Sequence, residues 1–372
     1  MSTTSLPTDL PSDLPTPLPS GAIIGIFGGG QLGRMLAQSA TKLGYRTHVY
    51  DSLADTPASR VSDFETVAPY EDLKAIITFA KSCDVVTYEF ENIPIAAVKE
   101  AQKHVSVYPD AKALETSHDR LIEKTFLRDT ATVPVAKFHA VETMSALTNA
   151  LTDFGGPSVL KTRRFGYDGK GQVKISDEKD VKGGFARLGG ADLIAEDFVP
   201  FVREFSIIAA RAQDGTIASY PMTENVHKDH RLHTSIAPAN DPQNVKENAH
   251  AIAERILDAL SYIGVMGIEF FELENGKLIV NEIAPRVHNS GHWTQNAGCT
   301  DQFEQHIRAI TGLPLGDTVP IQTVLMTNLI GEEIKNIKTI AQRPDTFVHD
   351  YDKHDIRAGR KMGHVNEILG KF

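Results

Sequence analysis

Two glutamates in the last third of the chain have the spacing of a shared metal site. Two apolar-rich runs flank Asn275-Gly276, the dipeptide most typical of a two-residue type I′ hairpin turn. With that turn, counting outward along both strands sets Glu269 directly opposite Glu282. Facing like charges destabilise a sheet, whereas Mg²⁺ prefers carboxylate oxygens together with substrate phosphates. The spacing therefore predicts a Mg²⁺ site, and the alternative is a solvated face that carries two glutamates.

A glycine-punctuated basic loop provides a second candidate site. Residues 163–172 contain two arginines, one lysine and three glycines, and they lie between a predicted strand at 158–162 and another at 173–175. Such a loop can cover phosphates with backbone N–H groups while its lysine supplies charge. It is not a Walker loop, because the G-K-[ST] sequence before a helix is missing. The alternative is a purely structural hairpin loop.

The first strand of the chain ends in a glycine turn. Residues 22–27 are apolar, Gly28 to Gly33 follow, and a helical pattern comes next; Asp51 ends the second predicted strand. This order matches the G-x-G-x-x-G dinucleotide fingerprint only superficially, since the glycines need do no more than bring a helix N-terminus to any phosphate or polar ligand. Glu89, Glu91 and Asn92 follow another buried strand and are candidates for the same crevice, unless Asn92 and Pro94 merely cap the next helix.

The remaining elements must position these groups. Residues 117–128 form a predicted helix that carries Arg120 and Lys124 on one face. Residues 225–233 are rich in histidine but have no carboxylate or cysteine partners at ligand spacing, so we favour an active-site loop over zinc. Further helices are predicted at 143–154, 245–263 and 302–312, further strands at 192–199, 204–210, 323–329 and 359–365, and a basic set near the end comprises Lys353, Arg357, Arg360 and Lys361.

Length and composition limit the function classes. A chain of 372 residues should divide into two or three domains. Its net charge of −10 argues against a nucleic-acid partner, and no apolar run reaches the roughly 20 residues that a membrane helix needs. Two cysteines, Cys83 and Cys299, suit a reducing compartment. No basic residue precedes Arg34, which excludes a targeting peptide, so we expect a cytoplasmic protein whose proline-rich residues 1–20 form a disordered tail.

Taken in order, the motifs resemble the ATP-grasp superfamily and, within it, the N5-carboxyaminoimidazole ribonucleotide synthetases. The resemblance runs from about residue 22 to 372 and rests on GIFGGGQLGRM, YEFENIP, HDR, KTRRFGYDGKGQ, EDFVPFVREFS, VHKDH, NEIAPRVHNSGHW and GRKMGHVN. It implies a mixed α/β and α+β fold in three parts. These are a Rossmann-like domain over 21–115, an ATP-grasp domain over 116–312 with a lid at about 135–200, and a small β-rich domain over 313–372.

The resemblance also implies site residues at matching positions. ATP would be bound by Arg120, Lys161, Gly166, Tyr167, Asp168, Gly169, Lys170, Gly171, Gln172, Glu196, Asp197, Phe198, Val199, Glu204, His227, Asn281 and Glu282. The ribonucleotide would contact Gly30, Gln31, Leu32, Glu89, Tyr167, Asp168, His288, Asn289, Lys353 and Arg360. Glu269 and Glu282 would ligate Mg²⁺, or Mn²⁺ in its place, and Arg286, Asp168 and Lys161 would be catalytic.

The implied reaction is an ATP- and bicarbonate-dependent carboxylation. The exocyclic amine of 5-aminoimidazole ribonucleotide would be carboxylated through carboxyphosphate, with release of ADP and phosphate, in purine biosynthesis. The family implies a homodimer, and fungal relatives often continue into a carboxylase or mutase domain beyond the point that corresponds to Phe372. Two alternatives remain open: another ATP-grasp ligase, such as a formate-dependent glycinamide ribonucleotide transformylase, and a non-catalytic nucleotide-binding or NAD-dependent protein.

Overall fold

The N-terminal part is a parallel sheet covered by helices. The computed structural model of the chain describes residues 15–166 and 169–372. Four parallel strands lie in the order β3-β2-β1-β4. The strands are β1 (Ile23–Phe27), β2 (Arg46–Asp51), β3 (Phe64–Val67) and β4 (Val85–Tyr88), and the helices are α1 (Gln31–Lys42), α2 (Leu73–Lys81), α3 (Ile95–Gln102) and α4 (Ala111–Ser117).

The predicted disordered tail is wrong for its last residues. Residues 1–14 lie outside the described part, but residues 15–20 run along the body of the protein. The Leu18 amide donates to the Thr311 carbonyl at 2.9 Å, and the Leu18 side chain packs against the largest core cluster. An apolar side chain and one backbone hydrogen bond therefore hold this segment in spite of its proline content.

A small antiparallel domain follows in the region where the sequence analysis expects a lid. Its sheet order is β5-β8-β6-β7, and two helices pack on it around a separate apolar core. The elements are β5 (Phe138–Val141), α6 (Met144–Phe154), β6 (Ser158–Thr162), β7 (Gln172–Ile175), α7 (Glu178–Arg187) and β8 (Leu193–Asp197). The glycine loop joins β6 to β7, as the sequence predicts.

The third part is a single nine-stranded antiparallel sheet. Its main path is β14-β13-β9-β11-β12-β15-β17-β16, and β10 pairs with β9. The strands are β9 (Phe201–Arg211), β10 (Ile217–Ser219), β11 (Thr223–Lys228), β12 (Arg231–Ala237), β13 (Gly264–Leu273), β14 (Leu278–Ala284), β15 (Gln322–Ile330), β16 (Thr346–Asp350) and β17 (Lys361–Lys371). Because β12 pairs with β15, the C-terminal strands extend the ATP-grasp sheet and do not form a sheet of their own.

The helices of this part begin and end close to the predicted positions. The predicted helix 117–128 is divided: α5 spans Arg120–Thr125, Asp119 caps it, and a π-helical turn follows. The later helices are α8 (Gln243–Ala259), α9 (Gln302–Thr311) and α10 (Ile337–Ile340). Within the described residues, no helix combines the length and the apolar character needed to cross a membrane.

Alternation along β9 and β13 determines which face carries the site. Phe205, Ile207 and Ala209 pack with α8 in one core cluster, whereas Ile208 and Ala210 belong to the cluster that contains α1 and α9. Successive side chains of a strand point to opposite faces. The residues that share a face with Ile208 therefore point toward the N-terminal domain.

Candidate active site

The hairpin of β13 and β14 places Glu269 opposite Glu282, as predicted, but through a different turn. The Leu273 amide donates to the Lys277 carbonyl at 2.9 Å, so the loop has three residues, Glu274 to Gly276. Asn275 lacks the positive φ that a type I′ turn requires, and Gly276 has φ +76°. The predicted two-residue turn is therefore wrong.

A β-bulge restores the predicted register. Phe270 pairs with Val280, but Glu269 pairs with Glu282, so Asn281 is an extra residue in β14. A regular ladder would place Asn281 opposite Glu269 and turn Glu282 toward the core around α8. The bulge instead directs Glu282 to the same face as Glu269, which is a common use of bulges beside active sites.

The glutamate pair, Glu269 and Glu282, is electrostatically strained. Burial, followed by the charge of Glu282, raises the pKa of Glu269. His288 Nε2 lies 3.5 Å from Glu269 Oε1, and burial together with Arg286 lowers the pKa of His288 well below its ordinary value. A neutral His288 does little to neutralise the pair. The donor set therefore fits a hard divalent cation.

The described residues contain no group of three or more His, Cys, Asp or Glu side chains arranged to hold a metal ion. A cation bound by the glutamate pair would thus complete its coordination with phosphate oxygens and water, as Mg²⁺ commonly does. This makes the site dependent on a phosphorylated ligand.

Glu123 and Lys124 of α5 also belong to the site. The sequence had assigned only their neighbour Arg120 to it. Glu123 Oε1 accepts a hydrogen bond from the Ile283 amide at 2.6 Å, and burial, followed by the charge of Glu282, raises the pKa of Glu123 to about 8. Lys124 Nζ donates to the carbonyl of the bulge residue Asn281 at 2.6 Å. The helical spacing that put Arg120 and Lys124 on one face contained the signal for Lys124.

Lys124 and Lys161 flank a buried carboxylate. Lys161 Nζ lies 3.0 Å from Glu196 Oε1, and Lys124 Nζ lies 3.3 Å from Glu196 Oε2. Burial raises the pKa of Glu196, but the two lysines outweigh it and bring the pKa down to about 2. Two cations on one anion leave net positive charge at the inner end of the lid, which suits a polyphosphate.

Arg120 holds the first half of the glycine loop. Its guanidinium donates to the carbonyls of Thr162 and Gly166, each at 3.0 Å. Gly169 and Gly171 have φ values of +76° and +72°, and a Cβ at Gly169 would lie 2.5 Å from the Cβ of His230. The loop therefore contacts the turn between β11 and β12. Tyr167 and Asp168 lie outside the described residues.

The predicted adenine and ribose residues occur where the lid joins the sheet. Glu196 and Asp197 end β8, and Phe198 and Val199 connect it to β9; the Lys174 ammonium lies 4.2 Å from the centre of the Phe198 ring. His227 Nδ1 lies 3.1 Å from Glu204 Oε2. Burial lowers the pKa of His227, but its contact with Glu204 outweighs this and raises the pKa.

The backbone amides of the glycine turn donate hydrogen bonds to carboxylates of the protein itself. Glu89 accepts hydrogen bonds from the amides of Gly30 at 2.5 Å and Gly33 at 2.9 Å, and the Gly29 amide donates to Asp51 at 2.7 Å. These N–H groups would bind the pyrophosphate in a dinucleotide site. The structure therefore disfavours the NAD alternative. Leu32 is buried in the core, so any contact it makes with a ligand must use its backbone.

Arg286 forms an ion pair with Glu91, one of the residues that the sequence places in the crevice beside the glycine turn. Arg286 Nε donates to Glu91 Oε2, and the pair joins the end of β14 to the segment after β4. Burial raises the pKa of Glu91, but the charge of Arg286 outweighs it and lowers the pKa. Asn289, another predicted ligand residue, makes two amide–amide hydrogen bonds with Asn328, at 2.9 and 2.8 Å.

The C-terminal basic residues converge on this region from the other side. Lys353 Nζ donates to the Lys361 carbonyl at 2.7 Å. Burial lowers the pKa of Lys353, and the negative charge of Glu89 opposes part of this shift, so Glu89 lies near Lys353. Arg360 donates to the Asp355 carbonyl at 3.1 Å and is close enough to lower the pKa of Lys353. Burial and Glu282 raise the pKa of Glu269, and the charge of Lys361 opposes part of this rise, so Lys361 also lies near the glutamate pair. Lys361 was noted in the sequence only as a member of a basic set.

Comparisons with known proteins match all three parts of the chain. A ribonucleotide synthetase preATP-grasp domain matches residues 22–118, an ATP-grasp domain matches residues 126–303, and a phosphoribosylaminoimidazole carboxylase C-terminal domain matches residues 324–370. The predicted fold class is confirmed.

Individual relatives cover nearly the whole chain. The chain is 47% identical to an N5-carboxyaminoimidazole ribonucleotide synthase of Brucella melitensis over 94% of its length and 96% of the relative. It is 41% identical to a bifunctional purine synthesis protein of Dictyostelium discoideum over 93% of its length but only 37% of that protein. A crystal structure of the Aspergillus clavatus synthase with ADP and 5-aminoimidazole ribonucleotide is 30% identical, covers 95% of both chains and superposes with a TM-score of 0.88.

Proposed function

The chain belongs to the N5-carboxyaminoimidazole ribonucleotide synthase family of ATP-grasp enzymes, and on that premise we propose which of its residues serve ATP, the carboxyl donor and the ribonucleotide. Its reaction is the ATP-dependent carboxylation of 5-aminoimidazole ribonucleotide to N5-carboxyaminoimidazole ribonucleotide in purine biosynthesis. The residue roles below rest on the geometry of the site and on the predicted motifs.

ATP binds between the lid and the nine-stranded sheet. The net positive charge of Lys124 and Lys161 around Glu196 faces the phosphates, and Arg120 holds the glycine loop over them. The segment from Glu196 to Val199 receives the adenine, and Glu204, fixed by His227, receives the ribose. The glutamate pair would hold Mg²⁺, and the ion would supply charge to neutralise the phosphates while the protein groups orient the nucleotide.

Bicarbonate is the carboxyl donor in this proposal. Its attack on the γ-phosphate accumulates negative charge, which Arg286 and the loop amides stabilise. ADP leaves as carboxyphosphate forms. The exocyclic amine of the ribonucleotide then attacks the carbon of carboxyphosphate and expels phosphate, or attacks CO₂ after phosphate has left, and in either case the amine gives up a proton. Because carboxyphosphate hydrolyses readily, the glycine loop must exclude water while the intermediate exists.

The ribonucleotide lies between the glycine turn and the C-terminal strands. Lys353 and Arg360 bind its phosphate, and His288, Asn289 and Glu89 border its base and sugar. Asp168 and Tyr167 of the glycine loop remain proposed contacts from the sequence motif. A cytoplasmic location and a homodimer also stay proposals, as does a downstream domain of the kind suggested by the bifunctional relative.

The glutamate pair beside the paired lysines is the single observation that carries the nucleotide half of this proposal. The test is ADP release with each acceptor omitted in turn. ADP should form rapidly only with bicarbonate and 5-aminoimidazole ribonucleotide together. Rapid ADP release with formate and glycinamide ribonucleotide would instead identify the rival transformylase, and no release with either pair would favour a non-catalytic nucleotide-binding protein.

A further inference from the structure

One exposed ion-pair cluster joins the two ends of the chain beside the ribonucleotide site. Arg60, in the connection between β2 and β3, contacts Asp55 in its own domain and Asp352 in the loop between β16 and β17. His354 of the same loop contacts both Asp55 and Arg60. We name these four residues, Asp55, Arg60, Asp352 and His354, the clasp.

The clasp has the geometry of a fixed connection. Arg60 Nε lies 2.7 Å from Asp55 Oδ1, and Arg60 Nη1 donates to the Asp352 carbonyl at 2.7 Å while it lies 3.1 Å from Asp352 Oδ2. The guanidinium fork therefore bonds both segments at once, which a lysine ammonium cannot do in the same planar arrangement.

Both aspartates have left-handed backbone conformations. Asp55 has φ +53° and Asp352 has φ +56°. Such conformations are unfavourable for residues with a Cβ and persist when the surroundings hold them. Here the holding contacts come from Arg60 and, for Asp352, also from Arg34, whose Nη1 lies 3.5 Å from Asp352 Oδ2.

The clasp encloses Lys353 and adjoins the glycine turn. Lys353 lies between Asp352 and His354 in the chain, is half-buried, and points away to the Lys361 carbonyl. On the other side, the Ala58 amide donates to the Gly29 carbonyl at 2.9 Å, so the segment that carries Arg60 is itself fixed to the glycine turn. One network thus fixes the distance between the two halves of the proposed ribonucleotide site.

We propose that Arg60 is a positioning residue for the ribonucleotide, which acts by holding the loop that presents Lys353 against the glycine turn. The inference rests on the proposed function only in the assignment of Lys353 to the substrate phosphate. Arg60 itself does not touch the substrate. Arg360, the other proposed phosphate ligand, is fixed separately at the far end of the loop, since its carbonyl accepts a hydrogen bond from the Gly331 amide at 2.8 Å. The effect of Arg60 must therefore disappear when Lys353 is absent.

The test is a double-mutant cycle on the full-length chain with Arg60→Ala, Lys353→Ala and the double variant. The Michaelis constants for 5-aminoimidazole ribonucleotide and for ATP are measured separately. Arg60→Ala should raise the ribonucleotide KM about fivefold, a coupling typical of interacting residues, and leave the ATP KM unchanged. The double variant should be no worse than Lys353→Ala alone. Arg60→Lys keeps the charge but loses the planar guanidinium fork, so its ribonucleotide KM should be nearly as high as that of Arg60→Ala.

Arg46→Ala is the matched control. Arg46 forms an exposed ion pair with Asp63 at 3.3 Å in the same domain, and no described contact joins that pair to the C-terminal loop. This variant should leave both KM values unchanged. Asp352→Asn keeps the backbone carbonyl that accepts from Arg60, and asparagine tolerates a positive φ. The ribonucleotide KM of this variant should therefore lie between those of Arg60→Ala and the unsubstituted protein.

The outcomes separate the two proposals. If Lys353→Ala leaves the ribonucleotide KM unchanged, the assignment of Lys353 to the phosphate is overturned. If Lys353→Ala has its effect but Arg60→Ala has none, or if the two effects add in full, the positioning role of Arg60 is overturned alone. An equal rise in the ATP KM, with a lower melting temperature, would make the clasp a purely structural contact.

Discussion

The β13–β14 hairpin and the loop between β16 and β17 both present charged residues to the site, but they are held in different ways. The glutamate pair projects from the hairpin of β13 and β14. Strand β13 is hydrogen-bonded to β14 on one side and to β9 on the other, and the opposite face of both hairpin strands packs on a buried core. Lys353 projects from a loop whose flanking residues are exposed and contact a segment almost three hundred positions earlier in the chain. Backbone ladders fix the first, and side-chain ion pairs fix the second.

The comparison separates two kinds of function. A metal site requires ligand oxygens within a few tenths of an ångström, which a packed hairpin can provide. A phosphate anchor tolerates more movement because charge attraction falls off gradually with distance. We therefore expect substitutions in the hairpin to affect turnover, and substitutions in the loop to affect one Michaelis constant.

Removal of either carboxylate of the proposed metal site should have the largest effect. Glu269→Gln and Glu282→Gln should each lower turnover by about a hundredfold or more and raise the Mg²⁺ requirement. The fold should be unchanged or slightly more stable without metal, because a facing like-charge pair is removed. Turnover against Mg²⁺ concentration and thermal unfolding in chelator check both points.

Glu274→Gln is the control for those variants, since Glu274 is exposed in the loop of the same hairpin. It should behave as the unsubstituted protein. Near-normal turnover of Glu269→Gln or Glu282→Gln at low Mg²⁺ would remove the metal assignment, and with it the contrast between the two regions.

The ion pair between Arg286 and Glu91 should show the next largest effect. Glu91→Gln leaves the Arg286 cation without its partner, and we expect a loss of about 2 kcal/mol in the free energy of unfolding. This lies below the usual range for a fully buried pair because the Glu91 side chain keeps 34% of its surface exposed. Turnover should fall as well, since Arg286 loses its fixed orientation.

The free energies of unfolding of Glu91→Gln and of the surface control Glu115→Gln are measured with denaturant and compared. Glu115 pairs with Lys99 on the surface of the same domain, and its loss should change stability by less than about 0.5 kcal/mol. Equal effects of the two substitutions would show that the Arg286 pair is no more than a surface contact.

The two regions also differ in how much the sequence could predict. The period-two pattern identified both strands of the hairpin and the correct facing glutamates, yet two errors cancelled: the loop has one residue more than predicted, and the bulge at Asn281 adds one residue to the opposite strand. Neither a three-residue loop nor a bulge has a pattern that apolar alternation alone can distinguish from a regular ladder.

Long-range contacts were beyond the sequence. The pairing of β12 with β15, which merges the predicted C-terminal domain with the central sheet, joins segments about ninety positions apart, and no local pattern encodes it. The contacts of Glu91 with Arg286 and of Arg60 with Asp352 are of the same kind. By contrast, Lys124 could have been assigned from helical spacing alone.

Gly169→Val tests the loop that closes over the hairpin. The added side chain would collide with His230 and would occupy a positive φ that costs about 1 to 2 kcal/mol. Closure should be hindered, and the ratio of ADP formed to product formed should rise as the intermediate is lost to water. Gly171→Val, which would meet Thr162, should act in the same direction.

Gly156→Val is the matched control in the same lid, because a Cβ there meets no atom within 4 Å and its φ is not positive. The measurement is the ADP-to-product ratio of the three variants. Unchanged coupling in both loop variants would show that the loop is only structural.

The loop region should give smaller and more selective effects. Lys353→Ala or Arg360→Ala would remove one proposed charge-assisted hydrogen bond to the ribonucleotide phosphate, so the ribonucleotide KM should rise about tenfold while the ATP KM stays nearly constant. Steady-state kinetics with each substrate varied separately measures this. A change confined to the ATP KM would place the two residues elsewhere in the site.

The pH dependence of the ribonucleotide KM should give the smallest effect and the sharpest view of the loop. Burial, followed by the charge of Arg360, lowers the pKa of Lys353 from 10.5 to about 8. Between pH 7.5 and 9 the charged fraction of such a lysine falls from about three quarters to about one tenth, so the ribonucleotide KM should rise by up to about eightfold. Bound phosphate favours the charged form, so the change should appear in KM and kcat/KM and not in kcat.

Lys353→Arg shows whether the pH dependence comes from Lys353 or from another titrating group, since arginine keeps its charge throughout this pH range. Its ribonucleotide KM should stay flat where that of the unsubstituted protein rises. Stability should change in the opposite direction: a lysine whose pKa is lower in the folded state destabilises the fold while it is charged, and this cost disappears as the pH rises through 8 and beyond. An equal rise of KM in both proteins would assign the titration to the substrate or to another residue. Lys353 would then have no electrostatic part in binding, and Arg360 would be the only proposed cation of this loop on the phosphate.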